Sequence, residues 1–180
     1  GELLHLDIKK LARFWRPGHR VTGNRTGQSD GAGWEFVHIA IDDFSRIAYA
    51  EILPDEKGPT CAAFMLRACA WFARQGITIQ GLLTDNGTGY RSHRFREACQ
   101  GVGIHHQRTR PYTPRTNGKA ERFIQTMLRE WAYGRRYRSS AERARILARW
   151  IRHYNEDRPH ASLNYLAPFS RRPPRCEQRS

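Results

Sequence analysis

The chain has 180 residues, enough for one domain with a buried core, and 39% of them are hydrophobic. Lys and Arg number 31 against 17 Asp and Glu, a formal net charge of +14. That excess points to a polyanionic partner, because each neutralised phosphate releases a counterion, and it argues against a merely solvated surface because the arginines cluster in defined segments. No apolar run approaches membrane-spanning length and no secretory leader is visible, so no membrane partner is expected and the expected location is cytoplasmic, beside nucleic acid.

In chain order, "LLHLDI" (3–8) is a short apolar run broken by Asp7 and predicts a buried strand carrying one charge. Residues 16–33 are rich in Gly and basic residues and predict a long exposed hairpin or loop. In "WEFVHIAIDDFSRIAYAEIL" (34–53) alternation predicts two strands joined by a turn at "DDFSR". Helical spacing of Cys61, Phe64, Ala68, Cys69 and Phe72 predicts a helix over 59–75, closed by Gly76. A strand follows over 77–84, then a short helix over 91–101 and a strand over 102–107. Pro, Thr and Gly make 108–118 a loop. From Lys119 the spacing of Phe123, Met127 and Trp131 predicts a helix of several turns. A last helix starts near Ser139, where "SSAE" has the pattern of a capping box, and carries the stripe Leu147, Trp150, Ile151 and Tyr154. The expected domain covers 1–166, followed by a loose basic tail over 167–180.

Hairpin connections make the first three strands antiparallel, and helical crossovers make the later two parallel. The expected architecture is therefore α/β, one five-stranded mixed sheet with helices on both faces. In such sheets, sites form at strand ends near a topological switch.

Three acids stand where acids are costly or well placed. Asp7, inside an apolar strand, needs either an ion-pair partner or a cation. Asp85 closes the strand "GLLT" ahead of Asn-Gly, so it is a natural turn former. A strand inserted beside the first would nevertheless bring it next to Asp7, and a divalent ion is the usual way to keep two adjacent carboxylates ionised. Glu121 suits a helix N-terminus, but it also shares a polar face with Asn117 and Gln125, opposite the core residues. Asp42 and Asp43 fall in the hairpin turn and are read as structural, while Glu35 and Glu51 have no motif around them. The cysteines Cys61, Cys69, Cys99 and Cys176 form no CxxC pair and are expected to be reduced thiols. His105 and His106 have no second ligand pair at a suitable spacing and are read as structural or DNA-facing.

"LHLD", "LLTDNG", "RPYTPRTNGKAERF" and "HYNEDRPHASLN", in that order, together resemble the catalytic core of the DDE integrase/transposase superfamily, with thirty-five residues between Asp85 and Glu121. The likeness is nearest to insertion-sequence transposases related to retroviral integrases and runs from Leu3 to about Leu166. The resemblance implies an RNase H-like fold and makes Asp7, Asp85 and Glu121 a catalytic, metal-binding triad. Oxygen-only ligands suit Mg²⁺, with Mn²⁺ able to substitute. In the implied mechanism, Asp7 bridges two ions, Asp85 holds one and Glu121 the other. Water first frees a 3′-OH at the element end, and that hydroxyl then attacks target DNA.

Expected DNA contacts are Arg108, Arg110, Arg115, Lys119 and Arg122 around the active-site loop (108–118), with Tyr112 as a stacking residue. Arg122, Arg129 and Arg136 recur every seven residues as a stripe, and Gln125 lies on the polar helix face. Asn86 and Asn117 match family positions beside acids. The expected partners are element-end and target DNA, with a homodimer or higher oligomer as the working assembly. The chain starts at the first acid-bearing strand, so it is expected to be a core without the family's N-terminal helix-turn-helix region. Two alternatives keep the fold: an RNase H-like hydrolytic nuclease, and a non-catalytic DNA-binding regulatory remnant.

Overall fold

Leu3–Ala12 form β1, Trp34–Asp42 form β2 and Ala48–Leu53 form β3 in the computed structural model, which describes residues 1–16, 33–109 and 118–173. All but the end residues of the predicted 16–33 hairpin, all but the ends of the 108–118 loop, and residues 174–180 of the tail lie outside the described residues. β1 runs four residues beyond the expected 3–8, pairing antiparallel with β2 as far as Ala12 opposite Trp34. Lys9 and Lys10 interrupt the apolar run, but the Lys10 ammonium sits 4.6 Å from the centre of the Trp34 ring, a favourable cation–π contact. At the β2–β3 turn, Asp42 Oδ2 accepts hydrogen bonds from Ser45 N (2.8 Å) and Ser45 Oγ (2.7 Å), the structural role expected of it.

Gly58–Arg74 form α1, whose buried face includes Cys61, Phe64, Met65, Ala68 and Phe72. Gly76, at φ +80°, turns the chain beyond it, a conformation open to glycine. The next strand, β4, is only Gly81–Thr84 instead of 77–84, because its partner β1 begins at Leu3, in register with Gly81. Ile77 and Ile79 are buried without joining the ladder. The helix predicted over 91–101 is two: α2 (Thr88–Arg91) and α3 (His93–Gly101). Ser92 separates them and caps α3, its hydroxyl accepting from Phe95 N. A Cβ on Gly89 would lie 2.3 Å from the Glu56 carbonyl oxygen, so only glycine lets α2 approach the start of α1 this closely. β5 is His105–Arg108, later than the expected 102–107, since Gly103 at φ +68° first turns the chain.

Gly118–Met127 form α4, which runs into a π-helical turn, Leu128–Ala132. α5 is Ser140–Glu156. Ser139 caps it by accepting from Glu142 N, while the Glu142 carboxylate accepts from Arg138 N, one residue earlier than a capping box requires. Pro168–Arg171 form a short 3₁₀ turn in which Pro168 is buried and Phe169 stacks on Trp71, so the start of the tail packs on the domain.

The sheet order is β3-β2-β1-β4-β5, antiparallel from β3 to β1 and parallel from β1 to β5, the mixed architecture expected. Alternation along β1 and β2 sends Leu4, Leu6 and Ala40 into one core with α1 and α3. Leu11, Val37, Ile39 and Ile41 enter the other, with α4 and α5. Helices therefore cover both faces. None of the described helices is long and apolar enough to cross a membrane.

Polar ties lock α5 to the sheet. Arg143 pairs with Glu35 at 2.7 Å, both side chains under a tenth exposed, and also donates to the Ala12 carbonyl at 2.8 Å. Asn155 grips β3 like an added strand, donating to Ala48 O (2.8 Å) and accepting from Ala48 N (2.9 Å). Glu35, which no sequence motif marked, is thus half of a buried ion pair. Glu35→Ala strands the Arg143 charge and is expected to cost about 3–5 kcal/mol, read as a lowered urea midpoint at unchanged slope.

Candidate active site

Parallel register decides where the acids meet. Leu3 stands opposite Gly81, Leu4 opposite Leu82 and His5 opposite Leu83. Two residues further along each chain, Asp7 and Asp85 come abreast at the carboxyl end of β4, on one face because side chains alternate with period two. Asp7 is half-buried and Asp85 exposed. The same face is covered by α4, anchored through buried Ala120, Phe123 and Met127, with Glu121 exposed in its first turn.

The three carboxylates share one electrostatic field. Burial pushes the Asp7 carboxyl up to about 6, and the negative charges of Asp85 and Glu121 push the same way, while the 2.7 Å hydrogen bond from Ile8 N opposes them. Among the described residues, no three His, Cys, Asp or Glu side chains are gathered tightly enough to hold a metal ion. The acids are mutually repelling neighbours in this structure and do not form a closed cage.

Asp85 is also the turn former that its sequence suggests, since its Oδ1 accepts from Gly87 N at 2.9 Å. A Cβ on Gly87 would sit 2.9 Å from that same oxygen, which ties the glycine to the turn. The Asn86 side chain is turned sideways, donating to Thr109 O at 2.8 Å, and Thr109 N donates to Thr84 O at 2.9 Å. Asn86 thus fastens the end of β4 to the last described residue before the 110–117 segment.

Lys119 points to an acid. Its Nζ pairs with Asp43 Oδ1, the same oxygen that lies 2.7 Å from His5 Nε2. Burial would raise the Asp43 carboxyl, but the hydrogen bonds from Lys119 and His5 outweigh it and hold it below its ordinary range. The cluster joins β1, two residues before Asp7, to α4, two residues before Glu121. No motif in the sequence marks it. The one available signal was period two, which puts His5 and Asp7 on the same face of a strand.

Of the other expected DNA contacts, Arg122, Gln125 and Arg129 are exposed on α4 or its π turn. Arg129 leans on Glu130 at 3.4 Å. Arg136 falls beyond Ala132, so the seven-residue stripe stops at Arg129. Arg108 belongs to β5 and is exposed. Arg110, Tyr112, Arg115 and Asn117 lie outside the described residues. His106 is structural: half-buried, 2.9 Å from Thr84 Oγ1 and edge-on to Phe95. Cys61, Cys69 and Cys99 are free thiols whose pKa values burial raises, as expected of inert cysteines.

A mixed sheet with two acids abreast at its parallel strand ends, and a third on the covering helix, defines an RNase H-like core. The chain belongs to the integrase core domain family, whose descriptions match residues 15–114 and 102–168. It is 35% identical over 86 residues, 48% of its length, to the transposase InsD of insertion element IS2 in Escherichia coli, and spans 29% of that protein. It is also 35% identical over 110 residues, 61% of its length, to the Gag-Pro-Pol polyprotein of sheep pulmonary adenomatosis virus, and spans 6% of it. Among solved structures, the fold is similar to the catalytic core domain of BIV integrase (TM-score 0.60, 20% identity, covering 94% of this chain and 91% of that one). It is similar as well to a chain of a simian T-cell lymphotropic virus intasome (TM-score 0.69, 18% identity, covering 94% of this chain and 53% of that one).

A raised Asp7 pKa has a definite sign. The folded chain binds more protons than the unfolded one between 3.8 and about 6, so this group's contribution to stability falls as pH rises through that window. In metal-free buffer, Asp7→Asn is expected to flatten that fall and to raise the melting temperature at pH 7, measured by thermal denaturation across the pH series.

Proposed function

We propose that this chain is the catalytic core of a DNA transposase or integrase, a polynucleotidyl transferase that cuts element ends and joins their 3′-OH groups to target DNA. The observation that carries the reading is the register that sets Asp7 abreast of Asp85, with Glu121 in the same field.

Asp7, Asp85 and Glu121 would hold Mg²⁺, with Mn²⁺ able to replace it. The donor set fits a hard cation: it is all oxygen, and because burial and the charges of Asp85 and Glu121 raise the Asp7 carboxyl, a bound cation would favour its ionised form. When bound, such ions activate an attacking oxygen and stabilise a leaving one at phosphorus. Around them, the chain's own residues position. Asp43 ties the α4 start to the sheet through Lys119, Asn86 fixes the strand end through Thr109, and exposed Arg122 and Arg129 offer charge to a DNA backbone. Both displacements run in line at phosphorus, water serving first and the freed 3′-OH second, with no covalent enzyme intermediate. A homodimer or higher oligomer belongs to this reading, in keeping with the intasome named for one structural relative.

Asp85→Asn, placed in a protein that carries whatever regions recognise the element ends, is expected to reduce divalent-ion-dependent strand joining to the uncatalysed background while DNA affinity stays within about twofold. Gel analysis of joined and nicked products checks it. Joining by the Asp85→Asn protein would remove the metal role. Nicks without joining by the unaltered protein would favour a hydrolytic nuclease, and binding with neither product a regulatory remnant.

A further inference from the structure

A cavity of about 340 Å³ lies between α3 and β5, and its lining includes Arg91, Arg96, Arg108, His105, His106 and Gln100 but no Asp or Glu. Arg91, Arg96 and Arg108 are exposed, and none of them enters an ion pair or a side-chain hydrogen bond among the described residues. Glu97, the one acid of α3, is already engaged by His93 (3.3 Å) and Arg94 (3.6 Å). Positive charge therefore gathers here without a counterion among the described residues. His106 registers it: burial lowers its pKa, and Arg108, His105 and Arg96 lower it further.

The cavity's place in the sheet says what could fill it. Arg108 stands opposite Thr84 in the β4–β5 register, and the residue after Thr84 is Asp85. Period two puts Thr84, His106 and Arg108 on the α3 face and Asp85 on the α4 face, so the arginines and the acids sit back to back around one strand end. A polymer whose reacting group lies at the acids reaches the arginines by passing around that end. Guanidinium groups suit it, since each presents a planar fork of N–H donors that matches a phosphate edge. The space is ample for a phosphate with its sugar, and the exposed arginines leave the chain on either side free to continue.

We propose that this cavity holds a backbone phosphate of a DNA strand flanking the reacting position, with Arg91, Arg96 and Arg108 as its donors. The proposal rests on the integrase reading for the identity of the polymer, but not on any metal chemistry.

The test measures affinity for a fluorescent duplex by anisotropy, over a salt series and without divalent ions. It compares the unaltered chain, the Arg91→Gln/Arg96→Gln variant, and an Arg145→Gln/Arg149→Gln variant altered on exposed positions of α5. Losing this one phosphate contact makes the slope of log K against log salt shallower by about 0.9. That loss in the cavity variant alone, with melting temperatures unchanged, is the expected result. An unchanged slope in the cavity variant, or an equal change in the α5 variant, overturns the site while the integrase reading stands. An unaltered chain that binds no duplex in a salt-sensitive way overturns the DNA reading and this site together.

Discussion

The geometry of the candidate site depends on one pairing, the three-residue parallel ladder between β1 and β4. It is short, yet it fixes the relative height of two strands that arrive from distant parts of the sequence. A slip of one residue would turn Asp85 to the opposite face from Asp7, because side chains alternate along a strand. Burial is what holds the register. Leu4, Leu6 and Leu82 are fully buried among the α1 and α3 residues, and a one-residue slip of β1 would put His5 and Asp7 in the places of Leu4 and Leu6. The apolar side of the sheet thus determines the arrangement on its charged side.

The second constraint is how α4 is held. Ala120, Phe123 and Met127 seat it on β1 and β2, and Phe123 packs in turn on Trp150 and Tyr154 of α5. α5 is fixed by the buried Arg143–Glu35 pair and by the Asn155 clamp on Ala48. Glu121 therefore inherits its position largely from contacts made elsewhere on α4 and α5. The helix that brings the third carboxylate is located by a hydrophobic layer, by the two polar anchors of α5 and by the Lys119–Asp43 pair at its own start.

Much of this was legible in the sequence, for identifiable reasons. The alternation in 34–53, the α1 and α5 stripes and the "DDFSR" turn each express one period over many residues. Boundaries were less legible where a strand's end depends on its partner. β4 starts at Gly81 only because β1 starts at Leu3, and β1 continues past Lys9 and Lys10 because Trp34 and Phe36 receive their stems and charge. The acids could be located, since each stood at a conspicuous place in a pattern. Their surroundings could not. Asp43 looked like an ordinary turn residue, because its two partners lie thirty-eight and seventy-six positions away along the chain.

Asp43 also answers an electrostatic difficulty. Lys119 stands two residues from Glu121, on the face that carries Asp7 and Asp85, and a lysine so placed is well suited to quench a carboxylate by internal pairing. Pairing of that kind would lower the repulsion among the acids and with it the attraction for an external cation. In the structure Lys119 is taken up by Asp43, which His5 also contacts. The charge that could neutralise the site is balanced beside it, and the three acids keep their negative field. Asp7 carries the consequence, its carboxyl pushed up to about 6 by burial and by its two acidic neighbours. A protein with 31 basic residues has cations to spare, so an acidic site survives in it only if nearby lysines and arginines are occupied or turned away. Asp43 occupies one, and the back-to-back placement of Arg108 across the sheet turns another aside.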